Sequence, residues 1–194
     1  MRLIVPACLC LLFAPVAALA ADAVPAPAAA PTLPELSAEE CAVWQRELSF
    51  ARSVAEHDAV AFASHVGERA AFGASRREPT RGRDAISQRW AGLIEGRRMA
   101  LLWYPTRVTM VPGIADTAWS SGPSLLEVLE PAAAGEGATP EERFHIGAFH
   151  SVWHRDADGV WRVLFDDGVE PRPATEAEVA AFRAGRMECN PNRS

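Results

Sequence analysis

Few side chains in this sequence could move a proton in an apolar setting. Asp166 is the sharpest, in the run Phe165-Asp166-Asp167-Gly168 where a strand-like segment ends. Turned toward an interior, its carboxyl would lose hydration, titrate higher and become a usable proton acceptor. Asp167 would then point away, because successive strand side chains alternate between faces. The plainer role for Asp166 is a carboxylate that accepts backbone amides at the strand end. His65 is the second candidate, on a short helix able to close a cavity mouth. Its plainer role is a buried or rim histidine with its hydrogen bonds satisfied. The remaining histidines predict no metal site: His150 and His154 share a strand face but stand ~13 Å apart at ~3.3 Å per residue. His145 projects from the other face. Asp156 and Asp158 suggest a fragment of a calcium loop, yet the remaining ligands and the closing Glu are missing. No cofactor is expected.

Asp166 must be positioned by residues 143–168, which read as two β-strands over 144–154 and 160–166. Between them lies Asp156-Ala157-Asp158-Gly159, and Asp-Gly between apolar runs is a strong hairpin signal. Trp153 and Trp161 flank the turn, where large rings can close one end of a core. Alternation sets His145, Gly147, Phe149, Ser151 and Trp153 on one face, and Ile146, Ala148, His150, Val152 and His154 on the other.

Upstream, the pattern is helical. Ser37 and Glu40 have capping-box spacing and open a helix to about His57, with Trp44, Leu48, Ala51 and Ala55 as its apolar stripe. Asp58 can cap a shorter helix carrying Val60, Phe62 and His65, and residues 70–74 suggest a short strand. After a polar loop over 76–83, Asp84 is placed to cap a third helix with Ile86, Trp90, Leu93 and Ile94 on one face; Gly96 ends it. Arg76, Arg77, Arg81 and Arg83 could hold an anion there, although a solvated loop explains them more simply. Strand signals follow over 99–111, broken by Pro105, and over 117–130, with Gly122-Pro123 as a kink. Residues 131–142 read as an exposed connection. Beyond Pro171 and Pro173, Thr175 can cap a terminal helix that packs through Val179 and Phe182. Three helices followed by antiparallel strands predict an α+β fold. Its Gly- and Pro-kinked sheet should bend strongly around the helices and enclose a pocket.

The chain has 194 residues, a net charge of −6 and no lysine, so all 19 basic residues are arginine. An acidic chain of this kind is a poor nucleic-acid partner, since such binding needs a basic face. Residues 1–20, with Arg2 before an apolar run and Ala18-Leu19-Ala20 at its end, read as a signal peptide. The run is short for a membrane span, so no stable membrane association is expected after cleavage, and the protein should be exported to a periplasm or secreted. Residues 21–36 form an Ala/Pro-rich tether, residues 37–171 the domain, and residues 172–194 a tail with a short helix. Cys8 and Cys10 would leave with the leader. Cys41 and Cys189 remain, and in an oxidising compartment they are expected to pair in preference to staying free.

Several motifs, in order, resemble the nuclear transport factor 2-like superfamily, which includes ketosteroid isomerases and SnoaL-like cyclases. They are Arg81-Gly82-Arg83 before a helix with Ile86 and Trp90, then Trp103 and Pro105, then Ala118-Trp119-Ser120-Ser121-Gly122. Gly147-Ala148-Phe149-His150-Ser151-Val152-Trp153, Asp158-Gly159-Val160-Trp161 and Phe165-Asp166-Asp167-Gly168 complete the set. Within the superfamily the chain looks most like the branch named domain of unknown function 4440. The resemblance implies a cone-shaped, cystatin-like α+β barrel with an interior cavity, a small-molecule ligand there and a homodimer through the outer sheet. It also implies Phe149 and Ser151 as lining, with Trp119 and Ser121 on the preceding strand and Trp103 on the strand before. Ketosteroid isomerases are recognised by a tyrosine in the first helix; the one tyrosine here, Tyr104, lies in a strand. The expected function is therefore an exported domain that binds a small, mostly apolar molecule. The alternative is a cofactor-independent isomerase, cyclase or hydrolase with Asp166 or His65 as general base. A third option is a structural or dimerising accessory domain whose functional surface is the outer sheet.

Overall fold

The computed structural model describes residues 36–129, 139–185 and 188–189; the leader, nearly all of the tether and residues 131–138 lie outside the described residues. Helix α1 (Ala38–Ala55) starts at the expected capping box, in which Ser37 and Glu40 satisfy each other's backbone amides. It ends where His57, at φ 62, turns the chain. The His57 amide then bonds Val54 O and the Asp58 amide bonds Ser53 O, a Schellman pair that satisfies the last carbonyls. Asp58 Oδ1 accepts two amides at the start of α2 (Ala59–His65).

Strand β1 (Val66–Phe72) follows α2 directly and begins earlier than the sequence pattern suggests. A short β2 (Thr80–Arg81) pairs with it. Helix α3 (Arg83–Ile94) differs from expectation at its start: Gly82, at φ 84, holds the capping position, and Asp84 stands in the first turn. Strands β3 (Met99–Trp103) and β4 (Arg107–Met110) are separated at Tyr104-Pro105, as the proline requires. Both pair with the single long β5 (Thr117–Val128). After α4 (Pro140–Arg143), β6 (Phe144–Arg155) and β7 (Trp161–Pro173) form the expected hairpin, with Gly159 at φ 79 in its turn. Strand β7 runs seven residues past Asp166 to the prolines. Helix α5 (Glu176–Arg183) is capped by Thr175 and buries Val179 and Phe182.

The strands make one sheet in the order β2-β1-β7-β6-β5-β3, with β4 also on β5. All pairs are antiparallel except β1 with β7. That parallel pair departs from the all-antiparallel expectation, because β1 leaves α2 already heading along β7. Register shifts in the β6–β7 ladder, between Val152 and Trp153 and between Ile146 and Ala148, insert extra residues that bend the sheet. The result is a curled α+β half-barrel whose core forms between its concave face and the helices.

Candidate functional site

Helix α1 carries a carboxylate on its buried face. Glu47 lies three residues after Trp44 and four before Ala51, so helical spacing places it among the apolar positions, and it is completely buried. Trp103 Nε1 donates to Glu47 Oε1 at 2.7 Å, while Ser120 Oγ and Trp153 Nε1 donate to Oε2 at 2.6 and 2.9 Å. Trp153 Nε1 also reaches Ser120 Oγ at 3.0 Å. One side chain thus ties α1 to β3, β5 and β6. Its spacing from Trp44 was the sequence signal; the charged residue type concealed it, since carboxylates are rarely buried unpaired.

The cross-strand register extends this network. Ser120 pairs with Ser151, Ser151 with Asp166 and Asp166 with Phe72, giving one row across β5, β6, β7 and β1. Ser151 Oγ donates to Asp166 Oδ2 at 2.9 Å. Asp166 therefore faces the interior, half-buried. The amide-accepting role falls to Asp167, whose Oδ2 takes the Ser75 amide at 2.6 Å and Oδ1 its neighbour Gly168 at 2.9 Å. Burial first, and the Glu47 charge second, push the Asp166 carboxyl well above the usual carboxylate range. Burial also raises Glu47, against the hydrogen bonds from Ser120, Trp103 and Trp153.

Of the expected lining residues, Trp103, Phe149 and Ser151 face the interior and are buried. Trp119 and Ser121 do not. Strand β5 sends Ala118 and Ser120 inward, and Trp119 stacks on the exposed His150 with ring centroids 5.9 Å apart. The correction is one residue of register, and a one-residue change flips every side chain to the other face. His65 takes its plainer role. Its Nδ1 lies 2.6 Å from Ala61 O and its Nε2 3.0 Å from Ser49 Oγ. A carbonyl only accepts, so Nδ1 carries the hydrogen and Nε2 accepts from the serine. Burial, then the Arg46 charge, lowers His65 to about 4. With both nitrogens engaged, it is a neutral structural histidine. Cys41 and Cys189 are joined by a disulfide.

The interior is packed with rings. Phe50 lies 5.2 Å from Phe62, 5.3 Å from Trp103, 6.1 Å from Trp153 and 6.5 Å from Trp90, centroid to centroid. Trp90 also meets Phe72 at 5.7 Å and, unlike the other rings, is half-exposed. Two hollows border the domain. One of about 160 Å³ lies beside Val54, His57, Leu93, Leu101 and Leu129. The other, of about 340 Å³, lies at the start of α3 beside Glu68, Arg81 and Asp84. Neither is lined by Glu47 or Asp166. Among the described residues, no cluster of three His, Cys, Asp or Glu side chains is arranged for a metal ion. No helix there is long and apolar enough to cross a membrane.

No family model matches the chain, and no curated protein matches it. Solved structures do. A nuclear transport factor 2-like protein of unknown function from Pseudomonas putida superposes with a TM-score of 0.52 at 15% identity, over 73% of this chain and 92% of that one. A putative ketosteroid isomerase from Shewanella frigidimarina gives 0.51 at 10% identity, over 66% and 94%. A putative calcium/calmodulin-dependent protein kinase II association domain from Xanthomonas campestris gives 0.51 at 13%, over 71% and 91%. The fold is that of nuclear transport factor 2-like proteins, and at these identities the likeness extends to the fold alone.

Proposed function

We propose that this chain binds a small, mostly apolar molecule against Asp166 on the concave wall of its cone. One observation carries the reading. In the buried row of Glu47, Ser120, Ser151 and Asp166, only Asp166 is left partly open to solvent, and its cross-strand neighbour is Phe72, which packs on Phe50 and Trp90. A few placed polar groups in an apolar wall are what small-molecule sites use. Access runs past Trp90, the half-exposed ring, which a ligand displaces from Phe72. Native mass spectrometry of the full chain, with the neutral dye Nile red as probe, tests this. The expected result is a co-purified small molecule or saturable one-to-one dye binding, weakened at least tenfold by Asp166→Arg. A chain that carries nothing and takes up no dye overturns it.

A second reading, a cofactor-independent isomerase, cyclase or hydrolase, is favoured by the same carboxyl, which touches Ser151 and lies in the field of Glu47. Under that reading Asp166→Asn abolishes turnover and leaves binding intact. His65 is the weaker base of the two, because burial lowers it to about 4 and the Ser49 hydroxyl occupies its Nε2.

The Cys41–Cys189 bridge supports export to an oxidising compartment, periplasmic or extracellular. The quoted motifs support the domain of unknown function 4440 branch. A homodimer through the outer sheet is supported by the row Trp119, Val152 and Phe165 on its convex side, where Phe165 is 43% exposed. The same mass spectra report that oligomeric state.

A further inference from the structure

We propose that Glu47 carries the negative charge of the interior and Asp166 the proton, so that Asp166 meets its ligand as a hydrogen-bond donor, against a neutral oxygen acceptor such as a carbonyl or ether. This deepens the binding reading above and rests on it for the ligand. The proton assignment itself follows from which groups can donate.

Both oxygens of Glu47 are already supplied with hydrogens. Two of the three donors are indole N–H groups, which cannot accept, and the third, Ser120 Oγ, already takes a hydrogen from Trp153. A protonated Glu47 would bring one more hydrogen into a shell made of donors. An ionised Glu47 fits it. Asp166 has one such partner, Ser151 on its Oδ2, and among the described residues none donates to its Oδ1. The groups that act on it are negative or neutral: Glu47 from α1, Asp167 from its own strand, Ser151 from β6 and Phe72 from β1. Arg76, in the loop after β1, acts on Asp167. Two neighbouring carboxyls in a dry interior do not both ionise, and the proton stays where fewer donors compensate the charge. The Glu47 charge is among the causes that raise Asp166, as an ionised Glu47 requires. Oδ1 of Asp166, at the partly exposed end of the row, is then the hydrogen offered to a ligand. Glu47 touches no ligand and acts as a positioning residue, repelling anionic ones.

Infrared spectroscopy of the full chain in H2O and D2O tests this, through the isotope-sensitive carbonyl band of a protonated carboxylic acid. The band should be present in the wild type at pH 7, absent from Asp166→Asn, and lost at a midpoint at least about one pH unit lower in Glu47→Gln, a tenfold change in proton affinity. No such band in the wild type, a band that survives Asp166→Asn, or an unmoved midpoint in Glu47→Gln overturns the proposal. Should Glu47→Gln fail to fold, the wild type and Asp166→Asn still decide where the proton sits. Nile red binding on the same samples separates the two claims. A band without dye binding removes the ligand reading alone, and dye binding without a band removes the proton assignment alone.

Discussion

Two titrating side chains of the interior oppose each other in their effect on stability. His65 is neutral in the fold and titrates near 4, against 6.5 for a free histidine. Its contribution is complete above pH 6.5 and is lost as pH falls toward 4, by at most about 3 kcal/mol. Asp166 shifts the other way. Its protonated form is favoured in the fold, so its contribution is complete below pH 3.8 and is lost as pH rises through the raised value. Urea unfolding across pH 4 to 8 should therefore respond oppositely to two substitutions. His65→Gln flattens the loss of stability on acidification, and Asp166→Asn flattens the loss on the neutral side. Equal pH slopes in wild type and both variants would show that neither group titrates as its surroundings dictate.

At the scale of elements, the break between β3 and β4 depends on one residue of the strand that pairs with both. A Cβ on Gly122 would stand 2.0 Å from Tyr104 O and 2.9 Å from the Phe149 ring. Backbone occupies the space, so Gly122→Ala has no flexible side chain to push aside and should cost about 3 kcal/mol, at the upper end of overpacking effects. Gly92, inside α3, is the control: nothing lies within 4 Å of its added Cβ. Gly92→Ala should gain about 0.5–1 kcal/mol from helix propensity. Denaturant midpoints of the two variants, moving in opposite directions, are the check.

For the whole molecule, the Cys41–Cys189 bridge ties the last described residues to the start of α1 across 148 positions of sequence. Between them, α5 lays Phe182 on Tyr104, with centroids 4.9 Å apart. A loop of this length is closed at an entropic gain of up to about 5 kcal/mol in the chain-entropy account. Thermal unfolding with and without dithiothreitol should show the reduced protein melting lower. An unchanged midpoint would mean that packing of α5 alone holds the tail.

The sequence carried the elements because they rest on local chemistry. The Ser37–Glu40 box, the Asp58 cap, the break at Pro105, the Asp158-Gly159 turn and the two faces of β6 all follow from short-range rules. The alternation on β6 set Phe149 and Ser151 on one face, and only the family resemblance implied that this face is the inner one. Trp119 and Ser121 were misplaced because the face of β5 is set by its pairing with β6, Ser120 opposite Ser151, and that register is a long-range fact. Glu47 was hidden for the same reason. A glutamate on an apolar helix face reads as an exception until Trp103, Ser120 and Trp153 arrive from three strands to satisfy it. Asp166 was legible as a residue type, but its direction waited on the β6–β7 register that puts it opposite Ser151. Periodicity is a property of one segment, whereas the site is made where four strands and a helix converge, and only tertiary packing brings them together.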